Sequence, residues 1–125
     1  MIYLDNSATT NPKPQVVKNA VSKAMNYYSF NSGRGGDKES VNTSNMIFTV
    51  REKIADMFSF SPQNIAFVPN CTFALNYAIK GIAKPGDHFI ISNLEHNAVV
   101  RPIYSLYEKG IISYDAAKFS YDKEE

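Results

Sequence analysis

The chain has 125 residues, a formal net charge of +1 at pH 7, two histidines and one cysteine. The near-balanced charge, without a run of Lys and Arg, argues against a nucleic-acid-binding surface. A lone Cys71 excludes an internal disulfide, MIYLDNSATT lacks the features of a signal peptide, and no apolar stretch reaches the roughly twenty residues of a membrane span. Length and composition therefore predict one soluble domain in the cytoplasm.

The first half of the chain predicts two helices separated by a long loop. A strand-like IYLD and a polar turn precede apolar residues that recur at helical spacing from position 16 to position 25. Residues 29–40, SFNSGRGGDKES, are rich in glycine and lack periodicity, as is typical of loops that carry function. Residues 41–58 predict the second helix.

The second half predicts alternating strands and helices. NIAFVP, HFIIS and IISYD have the composition of strands, and NCTFALNYAIKGIA and NAVVRPIYSLYEKG that of helices. The apolar positions of the first of these helices repeat at helical spacing and are expected on one side: Phe73, Ala74, Tyr77, Ala78 and Ile82. The resulting βαβαβ order indicates parallel strands in an α/β fold, with ligands beyond the carboxyl ends of the strands.

Cys71 and Thr72 follow the first predicted strand, where a helix begins. Free backbone N–H groups and the positive end of the helix dipole would suit a phosphate there. The alternative is that Thr72 or Asn70 simply caps the helix, which needs no ligand. No GxxxxGK[ST] motif occurs, so the pattern does not indicate a P-loop.

His96 follows the second predicted strand, within LEHNAVVRP. Its ring could lie over an aromatic ligand or move protons near neutral pH. The alternative is an ordinary histidine beside a helix start, with Asn97 as the cap and Glu95 in the favourable field of the helix. A metal site is not favoured, because His88 lies at the far end of the strand.

Several motifs in this order resemble the N-terminal part of the cysteine desulfurases, in the class V aminotransferase family of pyridoxal 5′-phosphate (PLP) enzymes. They are YLDNSATT with NPKP, NSGRGG, VREKIADMF, IAFVPNCTFALN and IISNLEHNAVVRP. The resemblance covers most of residues 1–102. It implies a three-layer sandwich with a mostly parallel sheet, part of the large domain of PLP fold type I. Residues 1–12 would form an N-terminal arm, and residues 13–125 part of that domain.

The resemblance also implies roles for individual residues. Cys71 and Thr72 match the turn that binds the PLP phosphate, and His96 matches the catalytic histidine that lies over the pyridine ring. Five residues match substrate-binding positions of the family: Asn6, Ala8, Thr9, Asn31 and Arg34. Asp37 stands where a histidine commonly follows the loop arginine, so the loop's substrate role departs from the family pattern.

A larger departure concerns the lysine that holds PLP as a Schiff base. In the family it follows a histidine, and this sequence has no His-Lys pair. The resemblance therefore implies an N-terminal fragment that is inactive by itself. The complete protein would be a homodimer that removes sulfur from L-cysteine, although related class V lyases and aminotransferases share these motifs. The alternative is a truncated, non-catalytic α/β module that binds a partner or a phosphate ligand.

Overall fold

The computed structural model of the chain describes residues 2–33 and 36–119. The chain divides into two compact units, Met1–Ala66 and Phe67–Glu125. The predicted boundary between an arm and a domain at residue 12 stays a prediction.

The first unit contains both predicted helices. Helix α1 spans Gln15–Tyr27, helix α2 spans Lys38–Phe58, and a 3₁₀ turn at Pro62–Asn64 follows. Helix α2 starts three residues before the predicted start, because Asp37 caps it by accepting hydrogen bonds from Ser40 N and Ser40 Oγ, both at 2.9 Å. Helix α2 therefore takes up residues 38–40, the last three residues of the predicted loop.

The second unit is a parallel two-stranded sheet with two helices. Helix α3 spans Cys71–Ile82, strand β1 His88–Ser92, helix α4 Asn97–Glu108 and strand β2 Ser113–Ala117. These four elements confirm the predicted order. Gly86 and Gly110 adopt positive φ angles of 89° and 66° at the turns before the two strands, a conformation that glycine adopts without steric cost.

The core of the second unit lies between the helices and one face of the sheet. Ile79 of α3, Ile103 of α4 and Ile112 before β2 are buried, and Phe89 and Ile91 of β1 pack against them. Among the described residues nothing covers Ile90 on the opposite, open face of the sheet, and it is 72% exposed.

The predicted apolar side of α3 is wrong. Phe73, Tyr77 and Ile82 are 48%, 65% and 65% exposed, whereas Leu75 and Ile79 face the core. Because apolar residues occur on more than one side of this helix, their spacing could not identify the packed side.

Two strand predictions, IYLD and NIAFVP, are also wrong. In the part of the chain that the structure describes, residues 2–5 and 65–68 form no ladder, although Ile65 has extended backbone angles. A strand needs a neighbouring strand to form a ladder, and among the described residues no strand pairs with either segment. Within the same part, no helix is both long and apolar enough to cross a bilayer.

Candidate functional site at the start of helices α3 and α4

The topology places the N-termini of α3 and α4 at the same end of the sheet. Each helix leads through a short turn into the strand that follows it, and those two strands are parallel. Both helices therefore run opposite to the strands and begin near the strands' carboxyl ends. This is the end at which parallel sheets bind ligands.

Asn70 caps the first turn of α3. Its side-chain oxygen accepts a hydrogen bond from Phe73 N at 3.0 Å, and its carbonyl accepts one from Ala74 N. The sequence left open whether Thr72 or Asn70 is the cap, and it is Asn70.

Two main-chain N–H donors at the start of α3 are not used by the Asn70 cap. No atom of residues 2–33 or 36–119 accepts a hydrogen bond from Cys71 N or Thr72 N. Both side chains are exposed. Two adjacent N–H groups at the positive end of a helix dipole favour an anion.

His96 is the N-cap of α4. Its Nδ1 accepts a hydrogen bond from Ala98 N at 3.0 Å. The alternative that Asn97 is the cap is therefore wrong, because the helix begins at Asn97 itself. A nitrogen that accepts a hydrogen bond carries no proton, so a neutral ring in this position carries its proton on Nε2.

The loop between β1 and α4 is held by its own side chains. Ser92 Oγ donates to Glu95 Oε1 at 2.9 Å and accepts from Leu94 N, and Asn93 Oδ1 accepts from Phe119 N. Glu95 is thus a support for the loop that presents His96. The sequence signal for this Ser92–Glu95 contact is their S-x-x-E spacing, which resembles a capping box.

Three predicted substrate residues lie in one turn of the first unit. Asn6 Oδ1 accepts from Asn11 N at 3.1 Å, and both Ala8 N and Thr9 N donate to Asp5 O. Thr9 Oγ1 accepts from Lys13 Nζ at 2.9 Å. These contacts make the turn self-supporting and bring Asn6, Ala8 and Thr9 together.

The other two predicted substrate residues belong to the glycine-rich loop. Asn31 Oδ1 accepts from Gly33 N at 2.9 Å, which folds the chain into a local turn. Arg34 lies outside the described residues.

His88 makes a contact across the sheet that the sequence did not indicate. Its Nδ1 lies 2.7 Å from Ser113 Oγ and its Nε2 lies 3.2 Å from Asp115 Oδ2, on the open face. Ser113 is the strand partner of His88, so the parallel register creates this cluster. The pairing of strands distant in sequence was not visible in the pattern.

Residues 2–119 match the family model described as aminotransferase class-V. The chain belongs to this family. The resemblance in the N-terminal motifs is thereby confirmed.

Curated members of the family that resemble the chain are named as cysteine desulfurases. A probable cysteine desulfurase of Methanothermobacter thermautotrophicus is 31% identical over 111 residues, and cysteine desulfurase IscS of Vibrio campbellii is 34% identical over 114 residues. The matches cover 88% and 87% of this chain but 28% of each relative. The chain thus spans less than a third of the length of these class V members.

Solved structures show the same fold. An apo cysteine desulfurase from Thermococcus onnurineus NA1 superposes with a TM-score of 0.83 at 25% identity, over 95% of this chain and 30% of that one. A NifS-like protein superposes with a TM-score of 0.78 at 24% identity. The chain therefore has part of the α/β fold of class V enzymes, PLP fold type I, as predicted.

Proposed function

We propose that this chain is the N-terminal part of a PLP-dependent cysteine desulfurase and supplies its contacts to the cofactor's phosphate and ring. The family match and the names of the similar proteins support this proposal. L-Cysteine would be the substrate, and the complete enzyme would be a cytoplasmic homodimer. No observation favours the alternative of a non-catalytic module.

The observation that carries the proposal is the pair of donors at Cys71 N and Thr72 N. Their partners are missing among the described residues, whereas the third N–H of the helix is satisfied by Asn70. A phosphate oxygen would accept from them, and the α3 dipole would add to the attraction. Thr72 adds a hydroxyl donor on an exposed side chain.

His96 would hold the pyridine ring. Its imidazole caps α4 at the same end of the sheet as the α3 donors, and its Nδ1 accepts a hydrogen bond from Ala98 N. Any proton that His96 gives to or takes from a ligand would therefore pass through Nε2. PLP, when bound, supplies an electron sink for the substrate's Cα, and this chain orients it.

Asn6, Ala8, Thr9, Asn31 and Arg34 remain proposed substrate contacts. The turn that holds Asn6, Ala8 and Thr9 is exposed, so its side chains are accessible to a small amino acid. The division into an arm, residues 1–12, and a domain portion, residues 13–125, belongs to the same proposal.

The test uses pyridoxine 5′-phosphate, which has no aldehyde and cannot react with surface lysines. Proline is favoured at the first position of a helix, so Cys71→Pro should remove one donor and keep α3. Asn70 already has the extended backbone that proline requires of its neighbour, with φ −166° and ψ 172°. We expect Cys71→Pro to weaken binding about tenfold or more, the effect of one hydrogen bond to a charged group.

Cys71→Ala is the matched control, because it keeps the N–H and should bind as the wild type does. Pyridoxine without phosphate should bind neither protein. Isothermal titration calorimetry gives the affinities, and circular dichroism checks the helix content. Equal binding by Cys71→Pro and Cys71→Ala would refute the phosphate contact.

A further inference from the structure

Helix α1 has a groove along one side that the proposed PLP site does not use. The groove has a volume of about 470 Å³ and runs between two rows of residues spaced four apart. One row is Val17, Val21 and Met25, and the other is Lys18, Ser22 and Asn26. Rows at this spacing are the ridges between which a second helix packs.

Nothing in the described part of the chain covers this groove. No side chain of α1 is buried, and Val17, Val21 and Met25 are 44%, 54% and 72% exposed. An isolated helix of 13 residues is marginally stable in water, and most helices gain their stability from a packed apolar side. The valine ridge therefore indicates a partner.

The charge around the groove restricts what this partner can be. The sequence between Asp5 and Asp37 contains no Asp or Glu, and it contains Lys13, Lys18 and Lys23. None of these lysines has an ion-pair partner among residues 2–33 and 36–119. Lys13 and Lys18 line the groove, so its rim is positive.

Two occupants fit this chemistry poorly. A second α1 would bring lysines against lysines, which is destabilising. Helices that lie on membranes insert Trp, Phe or Leu, whereas the groove contains Val and Met. Met and Val are side chains that pack well against another helix.

We propose that the α1 groove binds an amphipathic helix whose apolar ridge is flanked by Asp and Glu. The apolar ridge would pack against Val17, Val21 and Met25, and the carboxylates would pair with the lysines on the rim. The inference is independent of PLP binding, because it uses no residue of α3 or α4.

The probe is a synthetic helical peptide with Leu at every fourth position and Glu on both flanks. The control peptide has Lys in place of each Glu. Binding of the labelled peptides to the full chain is followed by fluorescence anisotropy. We expect the acidic peptide to bind at least about tenfold more tightly than the basic one and to weaken as salt is raised.

Two matched variants locate the binding surface. Val21→Glu places a charge in the ridge, whereas Val16→Glu places the same charge on the same helix outside the groove. Both positions are exposed, at 54% and 72%, so neither variant should unfold the chain, which circular dichroism checks. Val21→Glu should weaken binding about tenfold, and Val16→Glu less than about twofold.

Lys18→Glu should lower the preference for the acidic peptide if the rim charge selects the partner. Equal binding of both peptides, or equal effects of Val21→Glu and Val16→Glu, would overturn the proposal. So would binding only to vesicles of phosphatidylcholine and phosphatidylglycerol, or self-association that Val21→Glu abolishes in sedimentation. Failure of both peptides to bind would overturn it as well.

Discussion

At the scale of single residues, three polar side chains start three helices. Asp37, Asn70 and His96 each accept a hydrogen bond from a main-chain N–H in the first turn of α2, α3 and α4. Such caps satisfy donors that the helix itself leaves unpaired, and an Asp or Asn cap stabilises the fold by typically about 1 kcal/mol. His96 is the case in which the cap is also a proposed ligand contact.

Substitutions of His96 should separate its two roles. His96→Ala removes the cap and should lower the free energy of unfolding by about 0.5–2 kcal/mol. His96→Asn restores a capping oxygen and should stay close to the wild type. Urea denaturation measures both.

Binding of pyridoxine 5′-phosphate should respond differently, because neither variant has an aromatic ring. We expect both to bind more weakly than the wild type. If His96→Asn bound the ligand as the wild type does, His96 would be a cap alone.

Asp37 should make stability depend on pH. Hydrogen bonds from the backbone N–H and then the hydroxyl of Ser40 hold the pKa of the carboxyl below its usual value. The folded state thus favours the charged form, so this stabilisation is complete above about pH 4 and is lost as the pH falls through the folded pKa.

Asp37→Asn is the matched control, because its amide oxygen still accepts from Ser40 N but does not titrate. Urea denaturation between about pH 7 and pH 3 should show the advantage of the wild type over Asp37→Asn shrinking as the pH falls. A constant difference over this range would contradict the assigned cause.

The sequence could predict some of these residues. Asn70 was one of two possible caps because Asn is a preferred cap residue, and its position followed from the helix start. His96 could be predicted as a site residue from the family motif but not as a cap, because histidine is not a favoured cap residue. The backbone angles of the loop decide this, and they depend on Ser92, Asn93 and Glu95 together.

At the scale of elements, α4 carries the largest fully buried side chain among the described residues. Ile103 is 1% exposed and packs in one cluster with Ile79 and Ile112. Few residues are buried around it, so the stability of the second unit depends strongly on this contact.

Ile103→Ala should therefore lower the free energy of unfolding by about 2–5 kcal/mol. Ile82→Ala makes the same change in the same unit at a side chain that is 65% exposed, and it should alter stability by less than about 0.5 kcal/mol. Thermal and urea denaturation compare the two. Similar losses would show that the core has been placed on the wrong side of α3.

Strands and helices with clear turn signals were predictable at this scale. HFIIS forms β1 over the predicted residues, and Gly110 lies just beyond α4, as expected. The packed side of α3 was not predictable, because the strongly apolar Phe73 and Ile82 lie outside the side that Leu75 and Ile79 pack against the core. What decides between them is the position of the sheet, which lies elsewhere in the sequence.

At the scale of the whole molecule, pairing between distant segments determines which segments form strands and which face of the sheet stays exposed. NIAFVP has the composition of a strand, yet the described residues supply no strand beside it. Composition gives a segment its tendency to form a strand, whereas a hydrogen-bonded ladder also requires a neighbouring strand. For the same reason the open face of the sheet, with Ile90 and the His88 cluster, could not be predicted.

The chain alone should not bind PLP covalently. It lacks the His-Lys pair that the family uses, so incubation with PLP followed by dialysis should leave no absorbance band in the visible region. Transient reactions with surface lysines are reversible and disappear on dialysis. A band that survives would identify a lysine of this chain as the attachment site, and peptide mapping would locate it.

The hydrogen bond from Ala98 N to His96 has a consequence for affinity. It orients the ring through the first turn of α4 before any ligand arrives. Immobilising a free side chain on binding costs about 0.5–1.5 kcal/mol, and a ring already held by the helix avoids part of that loss. If His96 contacts a ligand as proposed, the start of α4 would thus contribute preorganisation in addition to the contact itself.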